Sequence, residues 1–235
     1  MIRLQGVTVR LGDVEALRDV TLADDARTLA VIGDNGSGKS TFARLLAGLV
    51  PAASGTVDVL GLDPARNVDE LRRRVAVVLS NPDAQIVMPT VAEDVAFSLR
   101  PQRRARGIRK AQPDAAAAAD RVAAALDRFG LTKLAERPSH DLSGGQKQLL
   151  ALAGAFVRRP DLVIADEPTA YLDARNARRI ADHLFEDAGH RLVLATHDLA
   201  LARRCEAAVL FERGRVRAIG EPGDVVAEYE ASLRC

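Results

Sequence analysis

Residues 31–41, VIGDNGSGKST, fit the pattern G-x-x-x-x-G-K-[ST] through Gly33, Gly38, Lys39 and Ser40. A loop of this kind should follow an apolar strand and open a helix. The flanks meet both conditions: TLAVIG is a short apolar run, and KSTFARLLAGLV has helical spacing that ends near Gly48 and Pro51. The chemistry is anion capture. Backbone N–H groups of Asn35, Gly36, Ser37, Gly38, Lys39, Ser40 and Thr41 can point inward around phosphate oxygens, with Gly33 and Asp34 forming the entry to the loop. A side chain at Gly36 or Gly38 would obstruct that approach. The helix starting near Lys39 adds its positive end. Lys39 then reaches the β- and γ-phosphates of a nucleotide, and the Ser40 hydroxyl suits Mg²⁺.

A second constellation is LVIADEP, where two carboxylates follow a buried apolar run. Asp166 suits Mg²⁺, and Glu167 can polarise an attacking water. Together these motifs define a P-loop nucleotide hydrolase or transferase and leave kinases, helicases and GTPases open. A third stretch, DLSGGQKQ at 141–148, places Ser143, Gly144, Gly145 and Gln146 at the start of the helical pattern GQKQLLALAGAF. Serine there caps a helix, and the helix start is a second place for a phosphate.

With LSGGQ about twenty residues ahead of the acidic strand, the chain resembles the ATP-binding subunits of ABC transporters over nearly its whole length. The resemblance continues in DEPTAYLD (166–173) and ATHD (195–198). It implies that His197 contacts the γ-phosphate and that Asp173 lies at a dimer interface. The implied fold is α/β: a P-loop NTPase (RecA-like) core with an N-terminal antiparallel β-subdomain and an inserted α-helical subdomain. It also implies one ATP-binding domain over 1–235, with about 82–152 as the helical insert. Two ATPase subunits, identical or different, pair head to tail, each ATP lying between one P-loop and the other subunit's LSGGQ. Closing and opening of the pair drive a membrane partner.

LSNPDAQIVMPTVAEDVAFSL (79–99) narrows the resemblance to ATPases of energy-coupling factor importers, closest in pattern to biotin and cobalt/nickel transport. Those work with a transmembrane coupling subunit and a separate substrate-binding membrane protein, which implies a peripheral place on the cytoplasmic face of the membrane. Three positions depart from the family pattern. Ser80 stands where a glutamine is usual, with Gln85 keeping the second one. Leu11 replaces an aromatic residue that stacks on adenine. Tyr171 replaces a small residue in the loop that touches the partner.

The elements that must position these residues can be read around them. IRLQGVTVRL alternates like a strand, Gly12-Asp13 marks a turn, and ALRDVTL is its partner. SGTVDVLG reads as an edge strand, while RRRVAVVLS, DLVIAD and RLVLAT end in or form buried strands. PDAAAAADRVAAALDRFG is a helix with Pro113 near its start and Gly130 at its end. ARNARRIADHLFEDAG and DLALARRC read as helices, AAVLFERGRVRAIG as a hairpin and EPGDVVAEY as a closing helix. Strands alternating with helices predict a largely parallel sheet.

Composition sets bounds. The 235 residues are 48% hydrophobic and 28% charged, with a net charge of +1. That balance gives no field for nucleic acid, and no nucleic-acid partner is expected. A soluble ABC ATPase acting on DNA or ribosomes would need a coiled coil or a second nucleotide domain, which 235 residues do not hold. The opening residues lack an apolar signal core. Cys205 and Cys235 are the only cysteines, too few for a disulfide framework, so a reducing setting fits. RPQRRARGIRK reads as a solvated connection.

Overall fold

The computed structural model describes residues 1–100, 115–186 and 189–233. In chain order the elements are β1 (Ile2–Leu11), β2 (Val14–Asp24), β3 (Thr28–Ile32), α1 (Lys39–Leu46), β4 (Ser54–Val59), α2 (Val68–Arg74), β5 (Val75–Val78), α3 (Val91–Phe97), α4 (Ala115–Arg128), α5 (Gly144–Phe156), β6 (Leu162–Asp166), α6 (Ala174–Phe185), β7 (Arg191–Ala195), α7 (Leu199–Ala202), β8 (Ala207–Glu212), β9 (Arg215–Gly220) and α8 (Pro222–Ser232). They form two compact units. One comprises Met1–Val77, Asp161–Glu167 and His190–Cys235; the other comprises Val78–Pro160 and Pro168–Gly189.

The first unit holds two sheets. One is antiparallel, in the order β2-β1-β4, with β4 at an edge as its sparse apolar content predicts. The other runs β5-β6-β7-β3-β8-β9. Its central strands pair in parallel: Val31 lies beside Ala195 of β7 and Val209 of β8, and Asp166 of β6 lies beside Ala195. β9 runs antiparallel to β8, as the returning arm of the expected hairpin. Strands buried on both faces need apolar residues at every position, and β3 and β6 are almost wholly buried. Between the layers, Phe42 of α1 meets Phe211 of β8 with ring centroids 5.1 Å apart. Both are fully buried among Leu29, Val31, Leu45 and Val209.

The second unit is helical. Val91 and Val95 of α3, Leu126 of α4 and Leu149, Leu150 and Leu152 of α5 fill its interior. Phe129, just after α4, packs on Phe156 at 5.7 Å, and the Arg128 guanidinium lies 4.7 Å from the Phe156 ring centre. Gly130 stops α4 with φ 66°, and the Leu131 N–H returns to the Leu126 carbonyl at 2.7 Å.

Two elements differ from the sequence reading. The segment VDELRRR forms α2, which its residues do not advertise: Leu71 alone is buried, so no apolar periodicity appears. DLALARRC is helical only over Leu199–Ala202, because Asp198 caps that turn and the chain must then enter β8. The basic run apart from Arg100, and the Pro113 start of the alanine-rich helix, lie outside the described residues.

Candidate functional site

Parallel strands deliver their successors to one edge of a sheet, and here three neighbours deliver the chemistry. β3 leads into the loop 33–38, β6 ends at Asp166 and continues to Glu167, and β7, which lies between them, leads to His197. Ser40 and Asp166, 126 residues apart, and Glu167 and His197, 30 apart, therefore meet because of strand order, not local pattern.

The loop is built as an anion cradle needs. Gly33, Gly36 and Gly38 have φ of 138°, 78° and 112°, values that disfavour any residue with a Cβ. A Cβ on Gly33 would collide with the Phe211 carbonyl oxygen, and one on Gly38 would lie 2.8 Å from a Leu17 methyl. Gly36 faces open space, so its requirement is the backbone angle alone. The Ser37 N–H closes the turn on the Asp34 carbonyl at 3.1 Å. Lys39 is 6% exposed, and its ammonium donates to the carbonyls of Gly33 (2.8 Å) and Asp34 (3.0 Å). Burial pulls its pKa below the usual lysine value, against the opposing pull of Glu167, Asp166 and Asp34. A buried cation with only carbonyl acceptors and nearby carboxylates is poised for a stronger anion.

The Ser40 hydroxyl donates to Asp166 at 2.9 Å, bringing two hard oxygen donors together at the helix start. That donor set fits Mg²⁺, a cation that prefers oxygen. Glu167 has φ 51°, uncommon for a non-glycine residue, and its N–H is fixed on the Ala195 carbonyl at 2.8 Å. Its carboxylate meets Nδ1 of His197 at 2.7 Å and accepts the His197 N–H at 3.3 Å. Thr196 and Asp198 stiffen the histidine's backbone: the Asp198 N–H donates to the Thr196 hydroxyl, and the Asp198 carboxylate caps α7.

A cavity of about 520 Å³ opens beside the loop, within the size range of ligand pockets. Asn35, Gly36, Gly38, Lys39, Ser40, Thr41 and Glu167 line one side; Val14, Glu15, Ala16 and Arg18 of β2, with Arg213 and Gly214, line the other. Leu11, where the resemblance placed a base-stacking residue, ends β1 and is 42% exposed.

Gly214 escaped the sequence reading. Its N–H donates to the Ser37 carbonyl and its own carbonyl accepts the Arg18 N–H, both at 2.8 Å. The β8–β9 turn thus ties β2 to the phosphate-binding loop. A signal existed in the Arg213-Gly214 turn, but its partners lie far away in sequence.

Ser143, Gly144, Gly145, Gln146 and Asp173 belong to the second unit. Ser143 caps α5 by accepting the Gln146 N–H (3.4 Å), and Gln146 returns its side-chain oxygen to the Ser143 N–H (2.9 Å). Asp173 caps α6 through the Asn176 N–H (2.9 Å) and holds the Asn176 carboxamide at 2.7 Å. That carboxamide covers Gly145, where a Cβ would lie 2.6 Å from it. Gly145 and Asp173 are therefore joined through Asn176, a residue no motif flagged. In the same unit Gln85 accepts the Leu79 N–H at 2.7 Å and Gln148 donates to the Leu79 carbonyl at 3.0 Å, so both glutamines grip the residue before Ser80. Tyr171 projects at 98% exposure with φ 62°.

Fold and edge chemistry define an ATP-hydrolysing P-loop protein. The ABC transporter family model matches residues 19–170, and the chain belongs to that family as an ATP-binding subunit. It is 41% identical over 233 residues to a putative ABC transporter ATP-binding protein of Deinococcus radiodurans, covering 99% of both chains. It is 36% identical to the biotin transport ATP-binding protein BioM of Rhizobium etli (97% of both). To the nickel import ATP-binding protein NikO of Rhodobacter capsulatus it is 40% identical (95% of this chain, 90% of the other). Among solved structures it is similar to cbiO1 of Clostridium perfringens, part of an ABC transporter complex cbiONQ, with a TM-score of 0.81 and 30% identity (99% and 93% coverage).

Proposed function

We propose that this chain is the ATP-hydrolysing motor of an energy-coupling factor importer for a vitamin, biotin before others, or for a cobalt or nickel ion. The observation that carries the reading is the meeting of Lys39, Ser40, Asp166, Glu167 and His197 at the ends of three adjacent strands. Its relatives' names, biotin transport and nickel import, support the substrate class. Residues 1–235 act as one ATP-binding domain that pairs head to tail with a second ATPase subunit. The pair works through a transmembrane coupling subunit and a substrate-binding membrane protein, as a peripheral complex on the cytoplasmic face, without nucleic acid. No helix among the described residues is long and apolar enough to cross a membrane, so the reading needs that membrane partner.

In this reading the loop amides from Asn35 to Thr41 hold the phosphates, and Lys39 exchanges its carbonyl partners for β- and γ-phosphate oxygens. Ser40 and Asp166 hold Mg²⁺, which supplies charge neutralisation on the phosphates. Glu167 accepts hydrogen from the water that attacks the γ-phosphorus, and His197, already bonded to Glu167, keeps that carboxylate aimed and contacts the γ-phosphate. Ser143, Gly144, Gly145, Gln146 and Asp173 meet the nucleotide held by the other subunit. Catalysis is positioning and charge stabilisation.

Replacing Glu167 by Gln keeps size and hydrogen bonding but removes the base. Turnover should fall ~100-fold or more while ATP affinity is kept. Unchanged hydrolysis in this variant rejects Glu167 as the base. Copurification with membrane proteins, followed by uptake of labelled biotin, cobalt and nickel, distinguishes the substrates; uptake of none of them rejects those three cargoes, and the lack of any copurifying membrane protein rejects the importer assignment.

A further inference from the structure

We propose that Tyr229 is a positioning residue for nucleotide binding, its hydroxyl fastening the phosphate-binding loop to α8 through the Asp34 carboxylate. The bond is 2.8 Å long and joins residues 195 apart in sequence. The inference rests on the reading that loop 33–41 holds the phosphates of ATP.

Asp34 is where the loop's internal bonds converge. Its carbonyl accepts both the Lys39 ammonium and the Ser37 N–H. Whatever fixes Asp34 therefore fixes the starting position of the lysine and the turn that aims the amides. Its side chain is exposed, and a carboxylate on the rim of an anion site repels the incoming phosphates unless it is held aside. Tyr229 supplies that hold. It donates a hydrogen bond to the charged group, which disperses the charge and fixes the side chain.

Helix α8 is built to present this hydroxyl. Glu221 caps it through the Asp224 N–H and Pro222 occupies its first turn. Val225 and Val226 are buried, and they stand four and three residues before Tyr229, on the same face. The face that packs α8 down therefore also carries the ring. Burial, then the hydrogen bond and charge of Asp34, push the phenol's pKa up to about 12. The hydroxyl stays a donor across the physiological range. A phenylalanine would keep the ring's packing and lose only the bond.

The composition supplies a direct reporter. The chain has two tyrosines and no tryptophan. With Tyr171 replaced by Phe, Tyr229 is the only fluorophore of its class, and a carboxylate that accepts a phenol's hydrogen quenches its emission. In the Tyr171→Phe chain, Asp34→Asn should brighten the emission. Titration with MgATP should change it with the half-saturation measured by calorimetry. Tyr229→Phe should weaken ATP binding ~3–10-fold, the size of one partly exposed hydrogen bond to a charged group. ATPase rate at saturating ATP should change less than twofold, so that KM moves and kcat does not. Adding Tyr229→Phe to Asp34→Ala should weaken binding no further, because Asp34→Ala already leaves the hydroxyl without its acceptor. Equal affinity of Tyr229→Phe and the parent, additive losses, or emission indifferent to both Asp34→Asn and MgATP would each overturn the proposal. Lys39→Ala is the control for the underlying reading. If it abolishes ATP binding while Tyr229→Phe is silent, the tether alone fails; if it binds ATP as the parent does, the loop reading fails first. Should Tyr229→Phe not fold, Asp34→Ala removes the same bond from its other end.

Discussion

Replacing Gly214 by Ala should damage the nucleotide site from outside it. Gly214 has φ 80°, a left-handed conformation that costs an alanine about 1–2 kcal/mol. The new methyl would lie 2.8 Å from the Ala16 carbonyl oxygen, a backbone atom that cannot swing away. Crowding of this kind costs ~1–3 kcal/mol. The turn can relieve it only by moving, which lengthens its bonds to Arg18 and Ser37, each worth about 0.5–1.5 kcal/mol. Either route gives a loss of roughly 2–5 kcal/mol, a large part of a typical domain's 5–15 kcal/mol. The midpoint of thermal unfolding should drop about 4–20 °C in a chain of this size. If the turn moves, calorimetry should also show weaker ATP binding, since Ser37 loses its support. Gly12→Ala is the matched comparison: Gly12 has φ 60° in the β1–β2 turn, with nothing within 4 Å of the added carbon. It should show the conformational cost alone. Equal midpoints for Gly214→Ala and Gly12→Ala, together with unchanged ATP affinity in both, would refute the reasoning.

Two further outcomes are expected. Lys39 is held charged in a buried site, so its pKa is lower folded than unfolded. Between those two values the unfolded chain binds more protons, so stability of the nucleotide-free protein rises with pH there and the penalty is fullest below the folded value. Urea titrations from pH 7 to 10.5 should show this rise in the parent and lack it in Lys39→Met. Cys205, whose thiol burial pushes up to about 12, pulls stability the other way above 9 but cancels in the difference. In the second unit, Gly145→Ala should cut turnover by displacing Asn176, and Asn176→Ala added to it should restore part of the loss. No restoration would mean that the methyl acts on something other than Asn176.

Wherever function demanded a fixed local spacing, the sequence was readable. Gly33, Gly38, Lys39 and Ser40 sit in eleven residues, and Asp166-Glu167 ends an apolar run whose burial is complete. What stayed hidden was whatever depended on distant partners. Nothing local says that β7 lies between β6 and β3, yet that order brings His197 to Glu167. Gly214 reads as a plain turn glycine until Ala16 and Ser37 are beside it, and Asn176 reads as a surface helix residue until Gly145 lies under it. Helix α2 was missed for the opposite reason: with one buried leucine it has almost no face to show.

The pairing of β3 sets a clock on the protein's synthesis. Its neighbours in the sheet are β7 and β8, so Leu29 waits for Val193 on one side and Ala207 on the other. A ribosome adding about 5–20 residues per second needs roughly 9–36 s to cover that interval. The β1–β2 hairpin can close almost at once, since its strands adjoin in sequence. The strand TLAVI, though, is apolar after Thr28 and has no bed to lie in until β7 and β8 have been made. A nascent chain halted before β7 therefore carries every residue of the phosphate-binding loop and still lacks the strand pairings that support it, with an unpaired apolar strand available for aggregation or for a chaperone.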